Sequence, residues 1–231
     1  MAGQEVNNAN ICYNYIMIEK IEKMIRNPAV VDDFMDNCFY GVNTQRDRSE
    51  GAPRVKWEWE DHTTSSMFPQ FSHELIHGHS KRPTNGLFSD SPYWKFFKKI
   101  IKDFLEDNEL EHKRITRANI NCTYNFPYAH CSDPHVDYPQ NHYTAILYLN
   151  NVVGSTYIFD KNANYKNLEE DSSKFIIPYK TIDWENDPIP VKHEVKPEKG
   201  KMLLFDGSHY HAMCPTTPGD LRLIVVYNIS Y

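Results

Sequence analysis

Residues 201–231 read KMLLFDGSHYHAMCPTTPGDLRLIVVYNISY. It holds two short apolar runs, 201–206 with Met202 to Phe205 and 222–231, the second rich in β-branched and aromatic residues. Turn formers separate them: Asp206, Gly207 and Ser208 after the first run, Pro215 to Asp220 before the second. In an extended backbone Arg222, Ile224, Val226 and Asn228 share one face of the last run. An arginine on the same face as core residues is costly unless a carboxylate meets it.

The same texture recurs upstream, in RITRANINCTY (114–124), YTAILYLN (143–150), STYIFD (155–160) and KFIIPY (174–179). Short strands in succession, with no helical period between them, predict a β-sandwich or barrel for residues 114–231. Residues 1–113 read instead as a mainly helical support within the same single domain. Tyr15 to Arg26 carries helix formers, and Ala29 to Tyr40 is apolar-periodic. Ser91 to Leu105 is the clearest helix, with Ser91 as N-cap and Pro92 in the first turn. Its lysines 95, 98, 99 and 102 form a solvated face. The polar stretch 161–187 is long for a plain connection and reads equally as a lid or a surface excursion.

The 231 residues, 40% of them apolar, suffice for a sizeable core. A formal charge of −6 gives no drive towards nucleic acid. No signal peptide or membrane-spanning run is visible, so a cytoplasmic location is expected. The five cysteines include no CxxC pair. They are expected to be reduced thiols buried as small hydrophobes. HELIH (73–77) has the pattern of a zinc-protease helix, but Pro69, Gly78 and Pro83 confine it to about two turns. It reads as a short surface helix.

PHVDY (134–138) places His135 and Asp137 at i and i+2, on one face of an extended chain. Downstream, FDGSHYH ends in His211. Two imidazoles and one carboxylate on one face of an octahedron leave three positions open, the ligand set of non-haem Fe(II) oxygenases. Alternation alone does not separate His211 from His209.

From about Arg117 onwards the chain resembles the prolyl 4-hydroxylase-like branch of the Fe(II)/2-oxoglutarate oxygenases. PHVDY, TAILYLN, GSTYIFD, VKPEKGKMLLFDGSHYHAMCP and RLIVVYN carry the resemblance in order and in approximate spacing. It implies a double-stranded β-helix (jelly roll), an α+β fold with a mainly β core and supporting N-terminal helices. It implies iron held by His135, Asp137 and His211, with Arg222 bridging the distal carboxylate of 2-oxoglutarate. Tyr148 is expected on that carboxylate too, with Tyr124 and Thr144 lining the cosubstrate pocket. Fe(II), 2-oxoglutarate and O2 would be required, with ascorbate as a possible reductant. The implied reaction is hydroxylation of an unactivated C–H, on a peptidyl proline by branch. Hydroxylation of a small molecule or free amino acid, and an inactive binding protein on the same fold, stay open. A nucleic-acid demethylase would carry a second arginine where this chain has Asn228. The expected partner is therefore a peptide, protein or small-molecule substrate, with no nucleic acid and no membrane. The oligomeric state is left open.

Overall fold

The computed structural model describes residues 18–36, 55–60, 69–76, 90–124, 130–214, 216–217 and 219–231. In chain order the elements are β1 (Lys20–Met24), α1 (Ala29–Phe34), β2 (Glu58–Glu60), β3 (Gln70–Glu74), α2 (Trp94–Asp107), β4 (Arg114–Tyr124), β5 (His142–Tyr148), β6 (Thr156–Asn162), α3 (Tyr165–Glu170), β7 (Val191–Val195), β8 (Lys201–Asp206), β9 (His209–Met213) and β10 (Leu221–Ser230). A seven-stranded sheet runs β1-β8-β5-β10-β4-β3-β2, and a three-stranded sheet runs β7-β6-β9. Every paired strand is antiparallel to its neighbour. Two facing antiparallel sheets on a mainly β chain are the expected jelly-roll architecture.

Alternation along the central strands sorts side chains between two cores. Ala118, Ile120 and Cys122 of β4, Ala145 and Leu147 of β5, and Leu223, Val225 and Tyr227 of β10 face outward. There they pack with Phe97, Ile101 and Phe104 of α2 and Phe34 of α1. Tyr227 fixes the helix further by donating its hydroxyl to the Phe97 carbonyl at 3.2 Å. The opposite parity, Ile146, Tyr148, Leu203, Phe205, Ile224 and Val226, closes on Ile158 and Val195 of the small sheet. Helices cover one face of the large sheet, and the other face looks into the barrel.

The front of the chain departs from expectation. Lys20–Met24, read as helical, is the edge strand β1, paired with Lys201–Phe205 of β8. KIEKM has no strong strand preference of its own, so the open edge of β8 overrides its local propensity. The described residues of HELIH are not helical either. Its described part, 73–76, leaves β3, which is paired with β4, and Leu75 is fully buried. His73 contacts the Lys56 carbonyl and the Ser91 hydroxyl, each at 2.8 Å. His77 lies outside the described residues. The helix foreseen from Ser91 begins at Trp94, although the Ser91 hydroxyl still accepts the Tyr93 N–H at 3.2 Å. KFIIPY is no strand of a sheet: Phe175 ends a single 3-10 turn, and Ile176 makes an isolated bridge to His135.

The cysteine expectation is corrected as well. Cys131 and Cys214 form a disulfide, 83 residues apart in sequence. That pairing removes the reasoning from reduced thiols to a reducing compartment. Cys122 is a buried free thiol, as expected of a small hydrophobe. Cys12 and Cys38 lie outside the described residues. Among the described residues no helix is long and apolar enough to cross a membrane.

Candidate metal and cosubstrate site

His135 and His211 come together because their segments form an isolated antiparallel bridge. Just after β8, Gly207 gives its N–H to the His142 carbonyl at 2.8 Å. A side chain at Gly207 would collide with the His142 ring, so only glycine lets this turn pack and deliver β9. One ligand atom from each of His135, Asp137 and His211 lies within 4.8 Å of the others. The Nε2 atoms of His135 and His211 stand 3.8 and 3.6 Å from the two Asp137 oxygens.

The imidazoles are already oriented. Nδ1 of His135 lies 2.9 Å from the Asp133 carbonyl, and Nδ1 of His211 lies 3.3 Å from the His209 carbonyl. A carbonyl only accepts, so each Nδ1 carries the proton and each Nε2 presents its lone pair inward. Burial, aided by the neighbouring His135, pushes the His211 imidazole down to about 4, which keeps it neutral at physiological pH. Burial also opposes ionisation of Asp137. His211, Arg117 and His135 outweigh it and hold the carboxyl well below the usual carboxylate range. His209 is not in this cluster, because its Nδ1 is turned to the Phe159 carbonyl at 3.1 Å.

A cavity of about 220 Å³ opens beside the cluster, and Arg222 and Thr156 also line it. Arg222 is 2% exposed. Its Nη2 donates to Thr156 Oγ1 at 2.7 Å, and the Tyr148 hydroxyl shares that same oxygen at 2.8 Å. Its Nε is buried with no partner, and among the described residues no carboxylate pairs with it. Burial depresses the guanidinium, as expected of a cation that lacks its counter-ion.

Two expected pocket residues are placed elsewhere. Tyr124 has the parity of Ala118, Ile120 and Cys122, so it points away from the cavity. It is 39% exposed and sits edge-on to Phe71. Its neighbour Thr123 lines the cavity instead. Thr144 lies behind the carboxylate, 3.5 Å from Asp137 Oδ2. Asn228 Nδ2 donates to that same oxygen at 3.3 Å and to Thr144 Oγ1 at 3.4 Å. The holding role of Asn228 escaped the sequence reading, although its parity with Arg222 was a usable signal.

The stretch 161–187 is bound to the site. The Val136 N–H donates to the Phe175 carbonyl, and the Ile177 N–H to the Pro134 carbonyl. Phe175 and Ile176 thereby join the cavity wall.

No family model matches the chain, and no curated protein matches it. Solved structures do. One is the non-haem α-ketoglutarate-dependent epimerase SnoN from nogalamycin biosynthesis, at TM-score 0.54 and 11% identity, covering 91% of this chain and 78% of that one. Another is HygX from Streptomyces hygroscopicus with nickel and 2-oxoglutarate bound, at TM-score 0.51 and 12% identity, covering 91% and 82%. This chain has the 2-oxoglutarate/Fe(II) oxygenase fold. Within that oxygenase fold the His-Asp-His cluster lies on β9 and on the segment bridged to it, and Arg222 stands near the start of β10. A Pseudomonas putida prolyl-4-hydroxylase superposes at TM-score 0.48 and 13% identity, over 91% of each chain.

Proposed function

We propose that the chain is an Fe(II)- and 2-oxoglutarate-dependent dioxygenase that hydroxylates an unactivated C–H bond. The carrying observation is Arg222, a buried guanidinium with an unpartnered Nε, in one cavity with a His-Asp-His cluster. A dicarboxylate chelating a metal at one end and meeting Arg222 at the other supplies the missing counter-ion. Two imidazoles with inward Nε2 lone pairs and one ionised carboxylate suit a ferrous ion that keeps open positions.

In this reading His135, Asp137 and His211 hold the metal, while Arg222 and the Thr156 hydroxyl fix the far carboxylate. Tyr148 sets the Thr156 hydroxyl through their shared hydrogen bond. Thr144 and Asn228 keep Asp137 turned towards the metal. Iron, when bound with 2-oxoglutarate and O2, supplies the oxidation that puts a hydroxyl on substrate carbon while 2-oxoglutarate becomes succinate and CO2. The protein contributes orientation and shelter from water, with Phe175, Ile176 and Val136 among the apolar residues of the wall.

The peptidyl-prolyl reading rests on the order of the sequence motifs. The polar wall contributed by β2 to β4 favours the second reading, a small molecule. An inactive binding protein has no use for both a complete ligand cluster and a buried, acid-seeking arginine. The test is 2-oxoglutarate-dependent oxygen consumption and succinate formation by the Fe(II)-loaded protein, measured without added substrate. Slow uncoupled turnover that disappears in Arg222→Gln is expected. Turnover absent under all metal conditions contradicts the reading.

A further inference from the structure

On one side of β10 the cavity wall is built by β4, β3 and β2, and neither metal nor cosubstrate binding uses its Glu60 and Asn121. Cross-strand register aligns Thr123 with Gln70 and Gln70 with Glu60, and sets Asn121 beside Ser72. The Glu60 carboxylate is held in place from the neighbouring strand. Gln70 Nε2 donates to its Oε2 at 2.7 Å, and Ser72 Oγ donates to its Oε1 at 2.8 Å. Gln70 and Ser72 are themselves buried, so the carboxylate rests on a fixed base.

Among the described residues no cation pairs with Glu60. The cation on the same wall, Arg117, is 3.7 Å from Asp137 and is offset by it. A carboxylate can accept about four hydrogen bonds, and two of these are filled. Asn121 Oδ1 is also shielded from solvent and meets no donor. Glu60 and Asn121 line the same cavity as His135, Asp137 and His211. The wall thus offers acceptors and one uncompensated negative charge, in the cavity that the metal cluster also lines.

The geometry points to a primary substrate that is a small molecule carrying a protonated amine, with its ammonium at Glu60 and Asn121. An ammonium brings one positive charge and several donors, which is what this wall lacks. A prolyl ring leaves both acceptors unsatisfied. This assignment rests on the dioxygenase reading, because that reading makes the cavity a substrate site.

The test uses the full chain loaded with paramagnetic Mn(II) and 2-oxoglutarate. Proton relaxation of 1-butylammonium is compared with that of 1-butanol, in wild type and in Glu60→Gln. Enhancement for the ammonium about tenfold above the alcohol in wild type, lost in Glu60→Gln, is expected. Equal enhancement of the two probes, or a difference that survives Glu60→Gln, overturns the amine assignment. Relaxation of 2-oxoglutarate itself, read in the same tube, reports separately on the dioxygenase reading and sinks that reading if absent. Should Glu60→Gln fail its thermal melt, Asn121→Leu removes the adjacent acceptor and leaves the carboxylate. A lower ammonium enhancement is then expected, and an unchanged one overturns the proposal.

Discussion

His135 and His211 hydrogen-bond to each other through their backbones, each N–H donating to the other's carbonyl at 2.9 Å. Two distant stretches of chain are thereby locked at one level, with ring centroids 4.5 Å apart. The spacing of the two imidazoles follows from this bridge and not from their rotamers alone. Asp137, two residues beyond His135, is then delivered to the same point.

Arg222 should control the cosubstrate without controlling the metal. Charge-assisted hydrogen bonds contribute about 1.5–3 kcal/mol, so Arg222→Gln should weaken 2-oxoglutarate binding by roughly 10- to 100-fold. Calorimetric titration of metal into the same variant should give a near wild-type Kd. A parallel loss of both affinities would mean that Arg222 shapes the fold and not the ligand.

Asn228 and Thr144 both reach Asp137 Oδ2. Asn228→Ala should lower metal affinity by about 10- to 100-fold, as is typical when the partners behind a ligand are lost. Competition against a metal-chelating dye reads this directly. Tyr124→Ala, on the outward face of β4, should leave metal and 2-oxoglutarate affinities unchanged.

His211 sets the acid behaviour of the metal-free protein. Its imidazole has a folded pKa of about 4 against an ordinary value of 6.5, so between these the unfolded chain binds more protons. Stability therefore rises with pH across that window and is lost as pH falls from 6.5 towards 4. Asp137 is likewise held below its ordinary value, and its contribution is lost only at still lower pH. Melting curves in EDTA should show Tm falling over this range. His211→Gln should flatten the fall, and an unflattened curve would assign it to other groups.

The bridge between Cys131 and Cys214 ties the segment leading to His135 to the one leaving His211. Closing a loop of this length restricts the unfolded chain by up to about 4–5 kcal/mol in the chain-entropy model. Cys214→Ser should lower the urea midpoint accordingly, and dithiothreitol should do the same to the wild type. No change with dithiothreitol would show that the bridge does not form in solution.

The β half was legible because each strand carries its own alternation and each turn its own Gly, Pro or Asp. KMLLFD and RITRANINCTY fall on β8 and β4 residue for residue. β9, HYHAM, did not look like a strand because it holds two histidines and no β-branched residue, and His211 belongs to the metal cluster. β7, VKHEV, is too short and too polar to stand out. KIEKM and HELIH misled for a common reason: pairing with β8 and β4 decides their conformation, and no window of a few residues contains the partner strand. The metal cluster was visible as a pattern of donors. Thr123 in place of Tyr124 depended on one-residue parity, which a strand read without its register does not fix. The disulfide was hidden because its two cysteines become neighbours only once the His135–His211 bridge has formed.

The central claim is that His135, Asp137 and His211 hold a ferrous ion that 2-oxoglutarate chelates. Mixing the protein anaerobically with Fe(II) and 2-oxoglutarate tests it without knowledge of the substrate. A visible metal-to-ligand charge-transfer band in the wild type, lost in His211→Ala, is the expected result. A wild type that shows no band and binds zinc tightly instead would contradict the account.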